Sequence, residues 1–264
     1  MLRFPPPAVI RLLLVLGIAS PAWCSELRVE TDIYVGNQKK PVAQNLTLFT
    51  SGLVYDFPLV GPKEVTVFDP AHGRFVLLDC RRKVKTMLTT NQILEFASAI
   101  RAQAHQIGGV IAFAAEPEFD EAFDAESGRL TLTSQWLTYR VKTIQPDRPA
   151  AAASYRSFAD WYARLNATRP GSLPPFARLE LNKALAQRAL VPQEVELIIT
   201  PKHRQGDRKL VIRSRHNIDW HITNTDRKRI EEAGSWMASF QAVSFRDYER
   251  ELLAAASRGD HTRQ

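Results

Sequence analysis

Val65-Thr-Val-Phe-Asp-Pro-Ala-His-Gly-Arg-Phe-Val-Leu-Leu-Asp79 decides the fold class. Two short runs of β-formers, Val65–Phe68 and Phe75–Leu78, flank Asp69-Pro-Ala-His-Gly73. The turn has a mechanism: the Asp side chain caps it, Pro70 fixes φ, and Gly73 accepts a positive φ. Phe123-Asp-Ala-Glu-Ser-Gly-Arg129 repeats the pattern Phe-Asp-x-x-x-Gly-Arg and predicts a second hairpin of the same build. Shared turn chemistry accounts for the echo better than an ancient duplication does.

Working outward, Leu27, Val29, Thr31, Ile33 and Val35 alternate with Arg28, Glu30, Asp32 and Tyr34. A period of two with one apolar face predicts a half-buried antiparallel strand. Leu46 to Phe57 holds two more strands around Thr50-Ser-Gly52, and Lys83 to Leu88 another. Thr89 and Gln92 form a capping box for a helix with Ile93, Ala97, Ile100, Ala104 and Ile107 on one face. Gly108-Gly109 ends it. Strands follow at 130–133 and 136–144, then a linker, Gln145 to Ala153. Helices are expected near 154–167 and 174–190, strands at 195–200 and 210–216, and helices at 226–240 and 245–256, the last capped by Ser244 and Asp247.

This order predicts an α+β fold: a curved, mostly antiparallel, half-barrel-like sheet with helices packed on one side. Residues 25–256 form one domain with a sub-boundary at 145–154, and 257–264 is a flexible tail. No Gly-x-Gly-x-x-Gly or P-loop occurs.

Val-Phe-Asp-Pro-Ala-His-Gly-Arg-Phe-Val-Leu-Leu-Asp79 and Lys-Thr-Met-Leu88, after an opening meander of amphipathic strands, resemble LolA-like periplasmic lipoprotein carriers and related exported proteins of unknown function. The resemblance covers residues 26–145. It implies a half-open barrel plugged by helices, with a hollow for an acyl chain. The helical insertion after residue 150 departs from the compact carrier plan, and no carrier residue transfers to this chain.

Met1 to Cys24 reads as a signal peptide, with Arg3, the apolar run Leu12 to Ala19, and small residues Ala19 and Ala22. The run falls short of the about 20 apolar residues a membrane span needs. The mature chain is therefore expected to be periplasmic or extracellular, without a transmembrane segment. Cleavage after Cys24 is favoured and leaves Cys80 alone; cleavage after Ala22 keeps both cysteines and allows Cys24–Cys80 to pair.

Hydrophobic residues make up 45% and charged residues 24%, so the chain is not disordered in bulk. Residues 25–150 hold 14 Lys and Arg against 15 Asp and Glu, whereas 151–264 hold 19 against 13. The excess concentrates around Gln205-Gly-Asp207, where Lys202, Arg204, Arg208, Lys209, Arg213 and Arg215 form the candidate basic surface. Nucleic-acid binders interleave stacking aromatics with such charges. This stretch has none, so the expected contact is an anionic envelope surface and not nucleic acid.

Ser214, His216 and Asp219 have the residue types of a hydrolytic triad, but no Gly-x-Ser-x-Gly elbow accompanies them. His216, Asp219 and His221, with His203 more distant, have metal-ligand types across an expected turn at 217–219. The acidic run Glu116 to Glu126 lacks the terminal Glu of a calcium loop and reads as solvated. No catalytic residue, metal site or cofactor is assigned. Asn45-Leu-Thr47 and Asn166-Ala-Thr168 are glycosylation sequons. The leading expectation is an exported, non-enzymatic protein that holds a lipid or lipidated partner in or on its curved sheet. The alternatives are an envelope interaction module using the basic surface, and a hydrolase using Ser214, His216 and Asp219.

Overall fold

The computed structural model describes residues 26–61, 63–200 and 209–251. The leader with Cys24, the tail, and Lys202, His203, Arg204 and Arg208 lie outside the described residues. Twelve described strands form one open sheet. The first six are a meander: β1 (Leu27–Val35), β2 (Ala43–Phe49), β3 (Val54–Val60), β4 (Glu64–Asp69), β5 (Arg74–Asp79) and β6 (Val84–Thr89). Two helices, α1 (Thr90–Ile107) and α2 (Gly109–Ala115), lead to a second meander, β7 (Asp120–Asp124), β8 (Arg129–Thr133) and β9 (Leu137–Ile144). Next come α3 (Pro149–Asn166), α4 (Phe176–Gln187), β10 (Val191–Ile199) and β11 (Leu210–Asp219). The chain ends with α5 (Asn224–Ser239), the short β12 (Gln241–Ala242) and a helix α6 over 245–251. The strand order is β12-β6-β5-β4-β3-β2-β1-β11-β10-β9-β8-β7. Only the β12–β6 pairing is parallel, so the curved, mostly antiparallel α+β architecture is present.

The two Phe-Asp hairpins form as their sequences direct. In one, Asp69 pairs across the turn with Arg74 and accepts from the His72 amide and the Arg74 guanidinium. In the other, Asp124 accepts from the Glu126 amide and the Ser127 hydroxyl. Gly73 and Gly128 take φ of +56° and +63°. Asp79 turns β5 into β6 by the same device, accepting from the Arg81 and Arg82 amides.

The helices are not confined to one side. Phe49, Phe68, Phe75 and Leu77 face one way, against Phe158 and Leu165 of α3, Ile93 of α1 and Tyr248 of α6. Leu130, Tyr139, Val141 and Val195 continue that face under α2 and α4. The alternate residues Leu46, Leu48, Val65, Val67, Val76 and Leu78 face the other way, where Ile230, Ala233 and Trp236 of α5 cover them. Strands β2–β5 are apolar on both sets of positions, so both faces require cover. On the alternate positions of β8–β11 the chain instead places charges, and no described helix packs there.

Three boundaries move. The expected linker is only 145–148: α3 starts at Pro149, whose fixed φ suits a first helical turn, and the alanines after it propagate the helix. Gly108 ends α1 with φ of +76°, yet α2 restarts at once and buries Ala114 and Ala115. The expected turn at 217–219 is strand, because β11 stays paired with β1 as far as Asp219.

Candidate functional site

The inward rows of β1, β2, β3 and β11 build a cavity beneath α3 and α4. In the pairing register Ile33 lies between Ala43 and Ser214, Thr31 between Asn45 and His216, and Val29 beside Thr47, which pairs on to Asp56. The cavity has a volume of about 440 Å³. Its apolar lining comes from Val29, Ile33 and Phe49 of the sheet and from Phe158 and Ala159 of α3. The remainder is polar, with Asn45, Asp56, Tyr162, Arg178, Ser214 and His216 among the lining residues. Its size falls in the range of about 300–1,000 Å³ usual for small-molecule sites, and a mainly apolar wall with few convergent polar groups is their usual character.

Asp56 is buried at 4% exposure. Thr47 Oγ1 donates to one carboxylate oxygen at 2.7 Å, while Asn45 Nδ2 and Tyr162 Oη donate to the other at 2.6 and 2.7 Å. Burial pushes the Asp56 carboxyl up, and the three donors partly offset that. Tyr162 thus ties α3 to the sheet floor, and its own phenol is held well above its ordinary range by burial and by Asp56. The sequon at Asn45 is accordingly occupied by structure: its amide holds Asp56.

His216 accepts or donates at both ring nitrogens, with Thr31 Oγ1 2.9 Å from Nδ1 and Ser214 Oγ 3.2 Å from Nε2. Burial and then the positive charge of Arg178 lower its pKa to about 3. Arg178 sits in the first turn of α4, where Asn182 Oδ1 accepts from its Nε at 3.1 Å. Asn182 donates onward to Asp160, which pairs with Arg156. No described carboxylate lies within ion-pair distance of Arg178; the Tyr155 phenol of α3 stands beside it, pushed up by burial and drawn partly back by the guanidinium. At neutral pH the described lining therefore contains one cation, a neutral imidazole and a carboxyl already saturated with donors.

The sequence candidates separate. Ser214 and His216 share the cavity face, as their spacing requires. Asp219 is three residues from His216 on a continuous strand, so it projects from the opposite face, where Arg28 Nη1 donates to it at 3.1 Å. The triad is not assembled, because Thr31 occupies the place of the third member. His216 and Asp219 do not converge on a metal either, and no cluster of three His, Cys, Asp or Glu occurs among the described residues. Arg213 and Arg215 also lie on the far side of β11, where Arg129, Arg140, Lys142, Glu194 and Glu196 join them around a shallow hollow. Two of those cations are paired, Arg140 with Glu196 and Arg215 with Glu194. Lys209 is exposed just before β11. Cys80 is a free thiol, half-buried, with its pKa raised by burial.

Sequence reasoning passed over Arg178, Tyr155, Tyr162 and Asp56. A signal existed for Asp56: a lone carboxylate inside Val54-Tyr-Asp-Phe-Pro-Leu-Val60, a strand apolar on both sides. None existed for Arg178, which stands in α4 two residues from Glu180 and reads there as an ordinary solvated helix charge. No family model and no curated protein sequence matches the chain. Among the described residues no helix is long and apolar enough to cross a membrane.

Proposed function

We propose that this protein binds a single anionic amphiphile, an acyl chain with an acidic head, in the cavity between the sheet and α3–α4. The observation that carries the reading is Arg178: a cation without a carboxylate partner among the described residues, lining a cavity that Val29, Ile33, Phe49 and Phe158 also line. Arg178 is partly buried, and a cation drawn from water without a paired charge gives up hydration without full recompense. A ligand carboxylate or phosphate at Arg178 supplies the missing charge, and each methylene placed against the apolar wall adds about 0.8 kcal/mol. The reading is non-enzymatic, and it agrees with the carrier-like pattern of the first strands.

Organic extraction of the purified protein followed by mass spectrometry tests it. The expected result is a stoichiometric acyl-chain acid, or, from an empty preparation, saturable uptake of a fluorescent fatty acid. A preparation that is empty and takes up no acyl probe overturns the reading.

A second reading, a serine hydrolase, draws on the 3.2 Å approach of Ser214 Oγ to His216 Nε2. A general base must take up the hydroxyl proton, and an imidazole whose pKa lies near 3 is a weak acceptor at neutral pH. Ser214 also sits within a regular strand and not on a strained elbow. Labelling of the wild type, and not of Ser214→Ala, by a fluorophosphonate would favour this second reading over the first.

A further inference from the structure

The edge of the sheet at which the cavity opens carries a distinct surface. Asn166, an exposed polar residue that also lines the cavity, ends α3 at this edge, and Arg169 just beyond it is ion-paired with Glu64 at the start of β4. Residues 36–42, Gly61, Lys63, residues 80–83 and the start of β11 gather here. The Gly36 amide donates to Val211 and ties the first turn to β11, while the Cys80 amide donates to Lys63 and ties the turn after β5 to the one after β3. Lys39, Lys40, Lys63, Arg81, Lys83 and Lys209 are exposed on it, and none is ion-paired among the described residues. The acidic groups close by are mostly spent: Asp79 and Glu251 on Arg82, and Glu64 on Arg169. Glu232 of α5, near Cys80, and Glu249 of α6, near Arg169 and Glu64, are the exceptions. Between the cations stand four aliphatic side chains with unusual exposure: Val42 at 45%, Leu59 at 42%, Val60 at 45% and Leu210 at 43%. Val60 pairs with Gln44, two residues from Val42, so these apolar groups are neighbours across β2 and β3.

We infer that this rim docks on an anionic lipid bilayer, with its lysines at the headgroup phosphates and its aliphatic side chains in the interfacial layer. Unpaired cations around exposed apolar side chains form the chemistry that recognises such a surface. A folded acidic protein would match the charge but not the four exposed aliphatics at the tips of adjacent strands. The inference rests on the cavity reading for its purpose, since the rim brings the cavity mouth to the phase in which acyl chains are stored. It does not depend on that reading for its physics.

The test is co-sedimentation of the full chain with vesicles of phosphatidylcholine alone and with added phosphatidylglycerol, beside uptake of a fluorescent fatty acid in vesicle-free solution. The rim variant is Lys39→Gln/Lys40→Gln/Lys63→Gln, in which no described hydrogen bond or ion pair of a side chain is lost. The control is Arg140→Gln/Arg215→Gln on the far face of β9 and β11. Wild type is expected to bind only the anionic vesicles. The rim variant should lose about 100-fold in partitioning, about fivefold for each charge near the surface, with fatty-acid uptake unchanged. The control should bind as wild type does. Equal binding by rim variant and wild type, or loss in the control alone, overturns the inference. Failure of wild type to bind anionic vesicles while it takes up the fatty acid also overturns it and leaves the cavity reading standing. Vesicle binding without fatty-acid uptake supports the docking surface and removes the cavity reading.

Discussion

Arg178 and His216 share one cavity, and each sets the other's electrostatics. Burial and the guanidinium hold the imidazole neutral, with a pKa near 3 against an ordinary 6.5. Arg178→Gln removes the second cause, so the His216 pKa should rise in that variant, and so should that of wild type on binding a fatty acid that neutralises the cation. An NMR titration of the His216 ring reads both; an unmoved value in the variant would contradict the coupling. The same shift bears on stability. Between pH 6.5 and about 3 the unfolded chain holds a proton on this histidine that the folded chain excludes, so acidification through that window favours unfolding. His216→Gln should flatten the decline of stability across it, read by urea unfolding at a series of pH values. Identical slopes in variant and wild type would count against a buried neutral histidine. Asp56 acts with the opposite sign: its folded pKa lies above the unfolded one, so its contribution is lost as pH rises through the folded value.

At the scale of elements, α5 is held to the sheet by a residue with two tasks. Asp226 closes the capping box with Thr223, accepting from the Thr223 amide at 2.9 Å, while the Thr223 hydroxyl accepts from the Asp226 amide at 3.2 Å. Its carboxylate also accepts from Arg28 Nε of β1 at 3.2 Å, and these donors with the Arg28 charge keep it below the usual carboxylate range despite burial. Asp226→Ala loses the cap and a charge-assisted bond together, which should cost about 2–3 kcal/mol in urea unfolding. Thr89→Ala at α1, an exposed cap alone, should cost about 1 kcal/mol. Equal costs at the two sites would show that the Arg28 contact contributes nothing. Two caps were legible as sequence, because a capping box is local: Thr89 with Gln92, and Ser244 with Asp247, announce helix starts within four residues, whereas the Thr223–Asp226 box was not read. The hairpins were legible for the same reason. Where α3 begins was not, since four alanines after Pro149 carry no periodicity to distinguish linker from helix.

Across the whole molecule, the antiparallel α+β class followed from alternation in the strands, which is a property of each strand alone. The site did not, because it is assembled by pairing across β11, β1, β2 and β3, where the paired Thr31 and His216 lie 185 positions apart. Ser214 and His216 drew notice as a local pair and do share the cavity. Asp219 was excluded only by the unbroken register of β11 with β1, which turns it to the other face. Thr31 fell on what reads as an apolar row, although it is the partner of His216. The placement of helices on both faces likewise needed the two-sided apolar character of β2–β5 to be weighed as a demand for α5. One consequence is a division of labour between faces and edge: cavity on the inner face, α5 on part of the outer face, and free lysines with aliphatics at the mouth.

The central claim, an acidic head at Arg178 with its chain against the apolar wall, is tested most directly by affinity for two ligands that differ only in the head. A fatty acid and the matching fatty alcohol, each competed against a fluorescent acyl probe, should bind wild type with a preference for the acid of about tenfold or more, as a charge-assisted bond of about 1.5–3 kcal/mol requires. Arg178→Gln should abolish that preference while leaving the alcohol's affinity unchanged. A preference for the acid that survives in Arg178→Gln, or the absence of displacement by either ligand, would contradict the account.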